Sequence, residues 1–263
     1  MPKIDVRPNL TMAYEDDCFA APWCAPETVV LVHGNCESTC AWTQWVPFFT
    51  GQYRVVRLDM PGFGASSAPA DYTWTSRELA ADIARFLDAL KIERCHLIGA
   101  KYGGSISLQL ASDHPQRFRS LCIFGSPARG VGSGNADAIK AKGVRKWAAD
   151  TMRARLGSAA SDAQVAWWCE LMGATAQRAA YGASSSLVKM DLDDRLPLIA
   201  APTLIVTTQE SGLQTVEAVN RYAARIPDAR VIVLDGDSYH IAAVEPQLCA
   251  SHAREFISSL PGR

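Results

Sequence analysis

The sequence predicts an α/β chain built on one mostly parallel, doubly wound sheet interrupted by a helical cap. Three observations carry this. Short β-rich runs alternate with amphipathic stretches of helical length, as when helices cover both faces of a parallel sheet. The β-rich runs vanish between about residues 129 and 195 and resume afterwards. The length, 263 residues with 48% apolar, lies within the range one large core can serve, so residues 1–263 are expected to form a single domain.

Each element has its own signal. Two short alternating runs flank Pro8-Asn9 within residues 3–16, predicting an antiparallel hairpin at the sheet edge. Residues 28–33, 53–59, 95–99 and 121–124 read as successive buried strands. Between the second and third, Leu79, Ile83, Phe86, Leu87 and Leu90 recur at helical spacing behind a Ser/Thr-rich start, which predicts a crossover helix over 76–90. In the interruption, Gly/Ser-rich openings give way to helical stretches rich in Ala, Met and Trp, read as a cap over about 129–195. Afterwards come a strand (203–207), a helix (215–226), a strand (230–234) and a last helix (247–260). A cap of this kind covers a cleft at the carboxyl ends of parallel strands, where the site is expected.

Composition narrows the partners. Lys and Arg number 26 against 27 Asp and Glu, a formal net charge of −1, so nothing draws the chain to nucleic acid or an anionic membrane. The expected partner is a small molecule. No apolar run approaches the ~18 residues of a membrane span, and Met1 to Tyr14 lack the pattern of a signal peptide, so a cytoplasmic location is expected. The eight cysteines lack paired metal spacings and are read as reduced thiols. No metal and no cofactor are implied, and oligomeric state has no signal in the sequence.

The chemistry-bearing residues lie at the predicted strand ends. Cys95-His-Leu-Ile-Gly-Ala-Lys-Tyr-Gly-Gly104 runs from strand into helix and resembles the G-x-S-x-G nucleophile elbow of the α/β-hydrolase fold superfamily, with Lys101 where that family has serine. Three more pieces stand in the family's order: His33-Gly34-Asn35, Asp59-Met-Pro-Gly-Phe-Gly64 and His240 within Gly236-Asp-Ser-Tyr-His. The resemblance implies a hydrolase-like site with His240 as the catalytic histidine and an oxyanion hole from the backbone N–H groups of Asn35 and Tyr102. It also implies an acid after the strand at 203–207. There Glu210 is the only carboxylate, expected to accept the Nδ1 proton of His240. His33 and Asp59 are read as loop-shaping groups and Cys36 as a buried small hydrophobe. The segments Trp167-Trp-Cys-Glu-Leu-Met-Gly-Ala-Thr175 and Asp191-Leu-Asp-Asp-Arg-Leu-Pro197 look similar to 3-oxoadipate enol-lactonases and related small-metabolite hydrolases, implying a small acidic or aromatic-derived metabolite. Trp147, Trp167, Trp168 and Tyr181 are read as packing within the cap.

Lysine alters what an elbow can do, because an acylated amine is an amide that water hydrolyses very slowly. Serine-type acyl-enzyme turnover is therefore not expected. Three readings stay open: water chemistry on a small carbonyl-containing metabolite at Lys101 and His240; Schiff-base C–C lyase or decarboxylase chemistry through a neutral Lys101; and a noncatalytic binding protein in which Lys101 pairs with Glu37, Glu210 or another acid.

Overall fold

The computed structural model describes residues 1–261. The chain opens with β1 (Lys3–Arg7) and β2 (Leu10–Asp17), the expected antiparallel hairpin, with Asn9 turning at φ 62°. Asn tolerates this left-handed conformation better than most side chains. The other strands are β3 (Thr28–Val32), β4 (Arg54–Leu58), β5 (Cys95–Ala100), β6 (Phe118–Phe124), β7 (Thr203–Thr208) and β8 (Ala229–Leu234). They form one sheet in the order β1-β2-β4-β3-β5-β6-β7-β8. β2 meets β4 antiparallel, and every later pairing is parallel.

Successive side chains of β3 show why both faces need cover. Val30 and Val32 enter one apolar cluster, Val29 and Leu31 the other, so the strand is a continuous apolar run with a core on each side. Helices α1 (Ser76–Ala89) and α2 (Tyr102–Asp113) pack on the first face. Thr75 caps α1, its side chain accepting from the Glu78 N–H, and Leu79, Ile83, Phe86 and Leu87 turn inward.

Four helices stand between β6 and β7, within the residues read as a cap: α3 (Asn135–Lys142), α4 (Val144–Leu156), α5 (Asp162–Gly173) and α6 (Gln177–Leu187). Trp147 and Trp168 are buried as expected. Trp167 and Tyr181 are not: they are 47% and 41% exposed, because they fall on the outward sides of α5 and α6. The chain closes with α7 (Val216–Ala223), the four-residue α8 (Ile241–Val244) and α9 (Pro246–Ser259). α9 buries Cys249, Ala250, Ala253, Phe256 and Ile257 on the second face. The 3-10 turns Thr39–Trp42 and Val46–Phe48 had no signal in the periodicity; they bring Trp42, Trp45 and Phe49 into that second cluster. No described helix is long and apolar enough to cross a membrane.

Candidate active site

Three strand ends converge: the loop after β3, the turn between β5 and α2, and the loop after β8. At the turn Lys101 has φ 57° and ψ −126°, a conformation costing a non-glycine residue about 1–3 kcal/mol. Its surroundings hold it there. The Lys101 N–H donates to the Phe124 carbonyl at 2.9 Å, and the Lys101 carbonyl accepts from Gly104 and Ser105. Gly103 must be glycine, since a Cβ there would fall on the carbonyl oxygens of Val32 and His33. The strand-turn-helix expected around Lys101 is therefore present.

The Lys101 side chain is buried, with its Nζ 3.8 Å from the centroid of the Tyr239 ring. No described carboxylate lies within ion-pairing distance of it. Burial, reinforced by the charge of Arg155 and only partly opposed by Glu37, holds the amine well below the usual lysine range. Its pocket is lined by Asn35, Glu37, Tyr102, Arg155, Ser184 and Tyr239 among others, with α3, α4 and α6 contributing one wall. The backbone N–H groups of Asn35 and Tyr102 have no described protein acceptor.

His240 caps the start of α8, and its backbone N–H donates to the Arg155 carbonyl and to Ser238 Oγ, both at 3.1 Å. Its ring lies 4.8 Å from Trp168, centroid to centroid. The acid expected beside it is not Glu210. Glu210 is exposed and its carboxylate makes no described hydrogen bond. The reason is local: its backbone N–H bonds to Gly236 and Ser211 N–H turns back to Thr208, which leaves the side chain in solvent.

The carboxylate that meets His240 is Glu37, whose Oε1 lies 2.8 Å from Nε2. Its Oε2 accepts from the Gly34 N–H at 2.9 Å. Burial alone would raise the Glu37 carboxyl, but its coupling and hydrogen bond to His240, the nearby His33 and the Gly34 N–H together hold it below the ordinary value. An ionised Glu37 accepts, so Nε2 carries the proton, and Nδ1 of a neutral ring is a bare lone pair. That Nδ1 is buried with no partner. The polarity is the reverse of the arrangement expected from Glu210, in which Nδ1 faces the acid.

The remaining site readings divide cleanly. His33 Nδ1 donates to Gly34 O and its Nε2 accepts from Met60 N–H; Asp59 accepts from the Thr39 and Ala65 N–H groups. Both shape loops. Cys36 is fully buried, which pushes its thiol up to about 12 despite the nearby Arg155. Among the described residues no group of three or more His, Cys, Asp or Glu side chains is placed to hold a metal ion.

Comparison with known proteins agrees with the fold. The model of the alpha/beta hydrolase fold matches residues 27–246. The chain belongs to that family. Within the α/β hydrolases it is 29% identical over 234 residues to the pimeloyl-acyl carrier protein methyl ester esterase of Aeromonas hydrophila, covering 83% of this chain and 91% of that one. It is 40% identical over 102 residues to the 2-hydroxymuconate semialdehyde hydrolase of a Pseudomonas species, a match that spans only 37% of this chain and 36% of that protein. The enol-lactonase of Burkholderia xenovorans superposes with a TM-score of 0.87 at 22% identity over 98% of this chain and all (100%) of that one, a likeness of fold.

Proposed function

We propose that this α/β hydrolase-fold chain is an enzyme that acts on a small carbonyl-containing metabolite at Lys101, with Glu37 and His240 as its proton-handling pair and no serine-type acyl-enzyme. The observation that carries the reading is the buried Lys101 amine, which faces a pocket, has no carboxylate partner and is held by burial and the Arg155 charge well below the usual lysine range, toward its neutral form. A neutral amine adds to a ketone or aldehyde carbon; the carbonyl oxygen takes up protons and leaves as water, and the resulting iminium withdraws electrons from a neighbouring C–C bond. Glu37 lines the same pocket and meets His240 through Oε1, so protons can be taken up and returned beside the reacting atoms.

Direct attack of water is the second reading. It is favoured by the relatives, which are named as hydrolases and an esterase, and by the free N–H groups of Asn35 and Tyr102, which suit a developing oxyanion. One experiment separates the two. The protein is incubated with pooled keto-acids, aldehydes and lactones, with and without borohydride, and its intact mass is measured. Reducible mass addition that maps to Lys101 and disappears in Lys101→Ala supports the amine chemistry. Product released without trapped adduct supports attack by water, and binding without turnover in any pool removes both.

A further inference from the structure

Arg155 is a buried cation without an anion. The residue is 8% exposed, and among the described residues the only hydrogen bond from its side chain to a protein acceptor runs from Nε to Thr151 Oγ1 at 3.1 Å. The guanidinium carbon lies 4.5 Å from the centroid of the Trp147 ring. Its two terminal nitrogens make no described hydrogen bond, and the residue lines the Lys101 pocket. Helix α4 offers an internal contrast: Arg145 and Arg153 are exposed and paired with Glu170 and Asp162, while the arginine that is buried is the unpaired one. Glu37 does not serve as counterion, because its two oxygens are engaged by His240 and Gly34.

Buried charge without compensation is costly, and a planar fork of free donors matches a carboxylate in bidentate geometry. We propose that Arg155 is the receptor for a carboxylate on the substrate, so that this pocket takes a small carbonyl compound that also carries a carboxylate. The proposal rests on the reading of Lys101 for the carbonyl half only. It adds a charge argument that Lys101 alone does not supply. An iminium at Lys101 would be a second buried cation close enough to Arg155 to feel its charge. A carboxylate on Arg155 cancels that field, so a substrate with the acid group makes its own iminium electrostatically acceptable, and a neutral ketone of the same shape does not.

The test uses ligands that cannot form an imine. Calorimetric titration compares butyrate and benzoate with butyramide and benzamide on the wild-type protein, Lys101→Ala, Arg155→Lys and Arg155→Met. The expected result is binding of the acids at least tenfold tighter than the amides in both wild type and Lys101→Ala, weakened at least tenfold in Arg155→Met and less in Arg155→Lys. Equal affinity for acid and amide, undetectable binding of either acid, or unchanged affinity in a folded Arg155→Met overturns the proposal. Should Arg155→Met not fold, the acid–amide contrast on the wild-type protein decides alone. Borohydride trapping with 2-oxobutyrate keeps the two ideas apart. Acid-selective binding without trapping leaves Arg155 as the receptor and removes the amine chemistry, whereas trapping without acid selectivity does the reverse.

Discussion

Glu37 and His240 stand 203 positions apart in the chain and share a 2.8 Å hydrogen bond in which the carboxylate meets Nε2. Both side chains are 3% exposed, so the pair is shielded from water and salt. This relationship is the basis on which Glu37 is proposed as the acid of the site, and it separates two glutamates whose substitution should have very different effects.

For any substrate that turns over, Glu37→Gln is expected to lower the chemical rate by about two to four orders of magnitude, the usual scale of acid–base catalysis. Glu210→Gln should leave it within about twofold, because an exposed surface side chain of this kind seldom matters. Steady-state rates of the two purified variants check this; equal losses would return Glu210 to the site.

Acid should weaken the fold through Glu37. Its folded value is depressed below the ordinary 4.5, so its stabilising contribution is complete above that value and is lost as the pH falls through the lower, folded one. Denaturant titrations of wild type and Glu37→Gln should therefore show a stability difference that shrinks below about pH 4.5, in the wild type's disfavour. A constant difference across that window would mean that the carboxyl is not depressed.

Lys101 has the opposite bearing at neutral pH. Its folded value lies well below the ordinary 10.5, so between the two the unfolded chain holds a proton that the folded chain has given up, and stability rises with pH. Lys101→Met removes this cost and should be more stable than wild type at pH 7. The advantage should narrow by up to about 1.4 kcal/mol per pH unit on approach to 10.5. Thermal unfolding of both proteins from pH 7 to 10 tests the sign.

With p-nitrophenyl acetate, the wild type should show no rapid repeated turnover, since an acetylated lysine is an amide. Lys101→Ser should gain little, because Nε2 of His240 is already donated to Glu37 and Nδ1 has no acid. Stopped-flow release of nitrophenolate measures both; fast turnover by Lys101→Ser would show that the histidine can be redirected to a serine.

Gly103→Ala should destabilise by about 3 kcal/mol, the upper end of the usual overpacking cost, because the new methyl meets backbone rather than a yielding side chain. Chemical denaturation gives the value directly, and a loss under about 1 kcal/mol would mean that β3 moves aside easily.

Much of this architecture is legible in the residues. β3 reads as a strand because Thr28 to Val32 is an unbroken β-branched and apolar run, and α1 because its apolar residues recur at helical spacing. The turn at Lys101 is legible because its glycines are required by steric contact that leaves no alternative. The partner of His240 is not. A loop carboxylate gives no sign of where a chain segment 203 residues away will bring a ring, and Glu210 sits in the expected loop yet turns outward. Arg155 was equally hidden, since α4 carries Arg145, Arg153 and Arg155 and nothing in their order tells which one faces inward.

The main-chain carbonyl of Arg155 accepts the His240 N–H and Ser238 Oγ, and two residues beyond the end of α4 the Ser158 N–H donates to Asp237. The histidine loop is thus stitched to the helices between β6 and β7. A displacement of α4 would therefore draw on the His240 backbone as well as on the wall of the Lys101 pocket. By the same token, a shortened relative lacking these helices would be a sheet whose histidine had lost its tether.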